Sequence, residues 1–219
     1  IELGHDLNIW AYTRIDTTKE KFLEKLRRAG FRWLAIGIES GSKHVREGAD
    51  KKFKNEKVNL LNVNQNIMDV VRRIQAADIY AGCNYIFGLP DDTLETMRET
   101  LDLAFEINGE YANFYSAMAY PGSPLYVMAK QKGYPLPDDP GGPGWIGYSQ
   151  HSYECLPLPT DTISAAEVLR FRDEAFIKYF TSPNYLNMMG QKFGDKTVHH
   201  IQEMASMPQL KRRILGDQN

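Results

Sequence analysis

The 219-residue sequence is 42% hydrophobic and 25% charged, with a formal net charge of −2. That supports one buried core, or a core with a small appendage, and the near balance of basic and acidic residues points to no nucleic-acid or membrane surface. No apolar run nears the ~20 residues a bilayer span needs, and no secretory signal is visible. The two distant cysteines, Cys83 and Cys155, form neither a disulfide framework nor a metal-ligand cluster, so a reducing, cytoplasmic setting is the default.

The sequence opens on Ile1 and reaches a strand-like run within a few residues, which reads as a segment of a longer protein. Strand, turn and helix then recur in the same order. "NIWAYTRID" leads into "TTKEKFLEKLRRAG", where Thr17 and Glu20 have capping-box spacing and Gly30 is placed to end the helix. "RWLAIGIES" is followed by an irregular stretch and the helix "NQNIMDVVRRIQAAD". "YAGCNYIFGLP" precedes "DDTLETMRETLDLAFEIN", with Asp92 and Glu95 spaced as a second capping box. A fourth strand, "YANFYSAMAYPG", runs into the short helix "SPLYVMAKQKG". The strands read as near-continuous apolar runs, and their alternation with helices predicts right-handed βαβ units in a parallel α/β sheet, open or barrel-like.

Beyond this lies a Pro/Gly-rich segment, then helical stretches from Ser164 onward that end on "KRR" at 211–213. The expected division is residues 1–135 as the α/β part and 136–219 as a crossing segment with a helical extension.

Ligands in parallel α/β folds bind at the carboxyl ends of the strands. Four places follow from that rule: Arg14 with Asp16, Glu39 with Ser40, the "FGLP" after Asn84, and the "AYPGSP" after Met118. Glycines 37, 41, 88 and 122 allow close backbone approach there. Taken singly, each loop is better explained by structure alone, and Arg14–Asp16 by a surface ion pair; the four together favour a ligand site at this rim. Glu39 reads equally as a loop-bracing acid or as a carboxylate aimed at a ligand hydroxyl or ammonium.

In order and spacing, "RID", "AGFRWLAIGIESGS", "DKK", "GCNYIFGLPDDTLETMRETLDLA" and "AYPGSPLYVMAKQKG" resemble the second half of a radical S-adenosylmethionine (SAM) enzyme. The resemblance is to the group whose members often carry a cobalamin-binding domain. It implies a partial (β/α) barrel of six strands, of which this chain supplies about four, with a C-terminal helical extension. It also implies cofactor-binding roles. Glu39, with its neighbour Ser40, would lie near the methionyl or ribose end of SAM, Lys51 near the SAM carboxylate, and Asn84 near the ribose. Arg14 would sit at the end of the first strand, and Ala117 would offer backbone contacts to adenine.

The implied cofactors are SAM and a 4Fe-4S cluster, with cobalamin as a further candidate. The implied partners are these small molecules and an unknown substrate, and a cut barrel would leave a strand edge open to association. The family's CxxxCxxC, which holds the cluster, does not occur in these residues. The resemblance therefore implies an enzyme whose cluster ligands lie outside this chain, and a chain that is catalytically silent alone. The competing readings are a complete non-radical α/β-barrel enzyme of aldolase or hydrolase type, and a non-catalytic binding module. The "HH" at 199–200 reads as solvated surface, Cys83 as a core residue, and Met188, Met189, Met204 and Met207 as packing.

Overall fold

The fold is that of a computed structural model, which describes residues 4–49 and 63–218. Four parallel strands, β1 (Ile9–Thr13), β2 (Phe31–Glu39), β3 (Tyr80–Phe87) and β4 (Tyr111–Ser116), lie in the order β1-β2-β3-β4. Between them run α1 (Glu20–Arg28), α2 (Lys43–Ala49), α3 (Val63–Ala76) and α4 (Leu94–Ile107). After β4 come α5 (Pro124–Lys132), a 3-10 turn at Gly144–Tyr148, α6 (Ala165–Phe180), α7 (Pro183–Phe193) and α8 (Asp195–Ser206).

The sheet has two unlike faces. Leu34, Ile36 and Ile38 of β2, Ala81, Cys83, Tyr85 and Phe87 of β3, and Ala112 and Phe114 of β4 are buried in one core with residues of α1, α3, α4, α6, α7 and α8. Apart from Ala35 and Gly82, which are buried, the alternate residues are only partly covered, so burial alternates along β4 and the second half of β3. Among the described residues the helices cover one face and leave much of the other open, so the strands are less continuously buried than their apolar runs suggest.

The amino end of the open face is aromatic. Trp10 stacks on Trp33 at 5.2 Å between ring centres, Trp33 meets Tyr80 at 4.9 Å, and Phe193 at the end of α7 packs 4.8 Å from Tyr80. Gly82 makes room for this layer, since a Cβ there would lie 3.2 Å from the Trp10 ring.

Two helix starts differ from expectation. α1 begins at Glu20 with Lys19 at its N-cap and no side-chain cap, because the hydroxyls of Thr17 and Thr18 both donate to the Arg14 carbonyl instead. α4 is capped by Thr93 with Thr96, because Asp92 is taken up by the preceding turn. The Ser164–Glu167 box forms as the spacing predicts. "KRR" does not end a helix, since α8 stops at Ser206 and Pro208 follows. Arg212 is instead fully buried, donating to Asp173 and to the Ser152 carbonyl. Met207 departs from the packing role too, being 65% exposed.

Candidate functional site

The parallel order brings all four predicted places to one edge of the sheet. Register then sorts their side chains between the two faces. Gly37, Asn84 and Asn113 are successive partners across β2, β3 and β4 and share the open face. Asn84 donates from Nδ2 to the Ile36 carbonyl at 3.2 Å and accepts from Asn113 Nδ2 at 2.8 Å. Its amide is therefore fixed at both ends, with oxygen towards β4 and nitrogen towards β2.

Glu39 ends β2 beside this pair. The register slips between Gly37 and Glu39, and Glu39 takes a left-handed backbone with φ of 67°. Its side chain folds back over Gly37, with Oε1 2.4 Å from where a Cβ would stand. That puts the carboxylate on the open face. Tyr115, on the same face of β4, has its phenol pKa raised by burial first, then by Tyr12, Tyr111 and Glu39, against the opposing pull of Arg172.

Ser40 is placed differently. It is fully buried, its hydroxyl lies 3.1 Å from Thr100 on α4, and that oxygen accepts the Ser42 N–H. Its carbonyl accepts from Arg46. Ser40 thus fastens the turn after β2 to α4, and Gly41 lets the two backbones touch, since a Cβ there would meet the Glu99 carbonyl oxygen at 2.5 Å. Arg14 makes a two-pronged pair with Asp16, both contacts at 2.9 Å, and holds the Asp16 carboxyl below its ordinary range. The Ala117 N–H donates to the Phe87 carbonyl and its own carbonyl accepts from Leu158, so its backbone, just past β4, joins the end of β3 to the crossing segment. Lys51 lies outside the described residues.

Several rim residues were not anticipated. Asn113 was legible as an amide inside the apolar "YANFY" run. Gln150 accepts from the backbone N–H and hydroxyl of Ser116 at the end of β4, and Arg172 donates to the Phe114 carbonyl. His151 Nε2 stands 3.5 Å from Arg172. Its pKa is lowered by burial and by the charges of Arg172 and Arg212, which favours the neutral ring. Nothing in a lone "QH" within a Pro/Gly-rich segment marks these residues, because their partners lie in β4 and α6.

The two cysteines do not suit a cluster. Cys83 is buried in the core with its thiol pushed up to about 12, and Cys155 is buried in a separate apolar cluster with its thiol pushed up to about 11. Among the described residues no group of three His, Cys, Asp or Glu could hold a metal ion. A small polar ligand suits the open face better: a carboxylate and two amides complement hydroxyl and ammonium groups.

Comparison with known proteins bears on the family and the fold. Residues 9–104 match the family model described as the radical SAM superfamily. An uncharacterized methyltransferase of Pyrococcus horikoshii is 29% identical over 126 residues, 58% of this chain and 26% of that protein. The anaerobic magnesium-protoporphyrin IX monomethyl ester cyclase of Cereibacter sphaeroides is 28% identical over 116 residues, 52% of this chain and 18% of that protein. Among solved structures, the radical SAM methyltransferase TsrM of Kitasatospora setae, with cobalamin and a 4Fe-4S cluster bound, has the same fold over 57% of this chain and 23% of its own, with a TM-score of 0.50 and 20% identity. The chain thus spans about a quarter or less of the length of these proteins. Residues 9–104, which hold β1 to β3 and most of α4, are similar to the radical SAM superfamily, with β4 following just beyond that stretch.

Proposed function

We propose that the open face, at the carboxyl ends of β2 to β4, binds SAM in a radical SAM enzyme of which these residues form a part. The observation that carries this is the register that aligns Gly37, Asn84 and Asn113 on that face, with the Glu39 carboxylate folded back over Gly37, within and just beyond the stretch matched to the family. In this reading Glu39 accepts hydrogen bonds from the ribose or the methionyl ammonium, and the oriented Asn84 amide meets the ribose hydroxyls. Lys51 and Arg14 are further candidates for the SAM carboxylate and the rim, with Ala117 near adenine. Ser40 fastens the turn that follows Glu39 to α4.

SAM and a 4Fe-4S cluster together would supply a 5'-deoxyadenosyl radical for hydrogen abstraction or methylation. The residues of this chain bind and orient, and the cluster's thiolates come from outside it. Cobalamin is a candidate cofactor because the TsrM structure holds it. The substrate is a further small molecule on the same face. Further strands would pair along the outer side of β1, where the sheet order leaves an edge. Residues 136–219 act as the cover behind and beside β4, and the compartment is the reducing cytoplasm. Among the described residues no helix is long and apolar enough to cross a membrane.

The test is calorimetric titration of SAM into the chain and into Glu39→Ala and Asn84→Ala. Loss of a hydrogen bond to a charged group costs about 1.5–3 kcal/mol, so Glu39→Ala should weaken binding by about 10- to 100-fold, and Asn84→Ala by less. Equal affinity in all three proteins would contradict the reading.

A further inference from the structure

Gly37 needs an explanation that its backbone does not give. It lies within β2 and its φ is not in the left-handed range, so no conformational demand excludes a side chain there. It is exposed, and no packing partner crowds it. The other sheet and turn glycines each have such a reason. Gly41 abuts the Glu99 backbone, Gly82 lies under Trp10, and Gly88 combines a φ of 79° with Val168 at 2.6 Å. A Cβ on Gly37 would meet Oε1 and Cδ of Glu39, at 2.4 and 3.5 Å, and no other heavy atom within 4 Å beyond its chain neighbours.

Glu39 has the complementary peculiarity. A non-glycine residue at φ of 67° is uncommon, and such strain persists where the surroundings hold it in place. The left-handed turn throws the side chain back along its own strand, and the missing Cβ two residues earlier leaves the place where the carboxylate settles.

We propose that Gly37 is the positioning residue for Glu39: its absent side chain is the seat that holds the carboxylate on the open face beside Asn84. The ligand-facing part of this inference rests on the SAM reading above. A methyl group at position 37 would displace the carboxylate while leaving its charge, the strand and the core in place. The atom it strikes is the far end of a flexible side chain, and the position tolerates an alanine backbone.

The test compares the parent chain with Gly37→Ala, Glu39→Ala and the double variant, by SAM calorimetry, thermal melting and a crystal structure of Gly37→Ala. The expected result is that Gly37→Ala weakens SAM binding about 10- to 100-fold, as Glu39→Ala does, with little change in melting temperature. In the Glu39→Ala background the second substitution should add less than about twofold, because no carboxylate remains to be displaced. A full effect of Glu39→Ala with none from Gly37→Ala would overturn the role of Gly37 and leave the reading of Glu39 standing. An equal further loss in the double variant would make Gly37 merely structural and also overturn it. If neither substitution changes binding, the reading of Glu39 fails, and the crystal structure decides on Gly37. A moved carboxylate on an unmoved β2 supports the seat, and a moved β2 under an unmoved carboxylate refutes it.

Discussion

A left-handed backbone costs a residue other than glycine on the order of 1–3 kcal/mol, and Glu39 bears that cost at the end of a buried strand. Asp92 is a second acid with an assigned task nearby. It accepts the N–H groups of Gly88 and Leu89, both at 3.0 Å, and the Thr96 hydroxyl at 2.7 Å, and so holds the "FGLP" turn after β3. Burial raises its pKa above the ordinary 3.8, more than these donors lower it. A raised folded-state value means that the fold binds this proton more tightly than the unfolded chain does. Its contribution to stability is therefore full below the ordinary value and is lost as pH climbs through the raised one. Asp92→Asn keeps an acceptor for the two backbone donors and removes the charge. In urea titrations between about pH 4 and pH 7, its stability relative to the parent chain should improve as pH rises. A difference that does not vary with pH would contradict this account.

At the level of elements, much was legible because it is local. The strand–helix alternation, the Ser164–Glu167 cap and the ends of β2 and β3 follow from periodicity and capping chemistry within a few residues. What was not legible depends on partners distant in sequence. Thr17 lost its expected capping role to the Arg14 carbonyl, and Asp92 to the turn at Gly88. Asn113 gained meaning only from its register with Asn84, and Arg212 from Asp173.

Glu110 is the strongest case. Fully buried at the start of β4, it accepts from Gln75 of α3 and from the Ala81 N–H of β3, and pairs with Lys192 of α7. One carboxylate thus ties two helices to the amino ends of two strands. Glu110→Ala leaves the Ala81 N–H buried without its acceptor, so urea unfolding should show a loss of about 1–3 kcal/mol. A loss below a few tenths of a kcal/mol would mean that the aromatic packing of α7 alone holds this end.

For the whole molecule, the two outer strands have different fates. The outer side of β4 is served by Arg172 at the Phe114 carbonyl and by Gln150 at Ser116. β1 ends the sheet on the other side, with Trp10 43% and Tyr12 79% exposed. Among the described residues β1 is paired on one side only, by β2, and its other edge lies beside exposed aromatics. That asymmetry is what the proposed reading uses, with the ligand face running across from β2 to β4.

The central claim is that SAM lies on that face. The most direct measurement is an NMR titration of the isotope-labelled chain with SAM, following backbone and Asn side-chain amides. The account predicts saturable shifts at Gly37–Glu39, at the side-chain amides of Asn84 and Asn113, and near Tyr115, with α8 unmoved. Shifts confined to the helix-covered face or to residues 136–219, or no saturable shift at any residue, would contradict it.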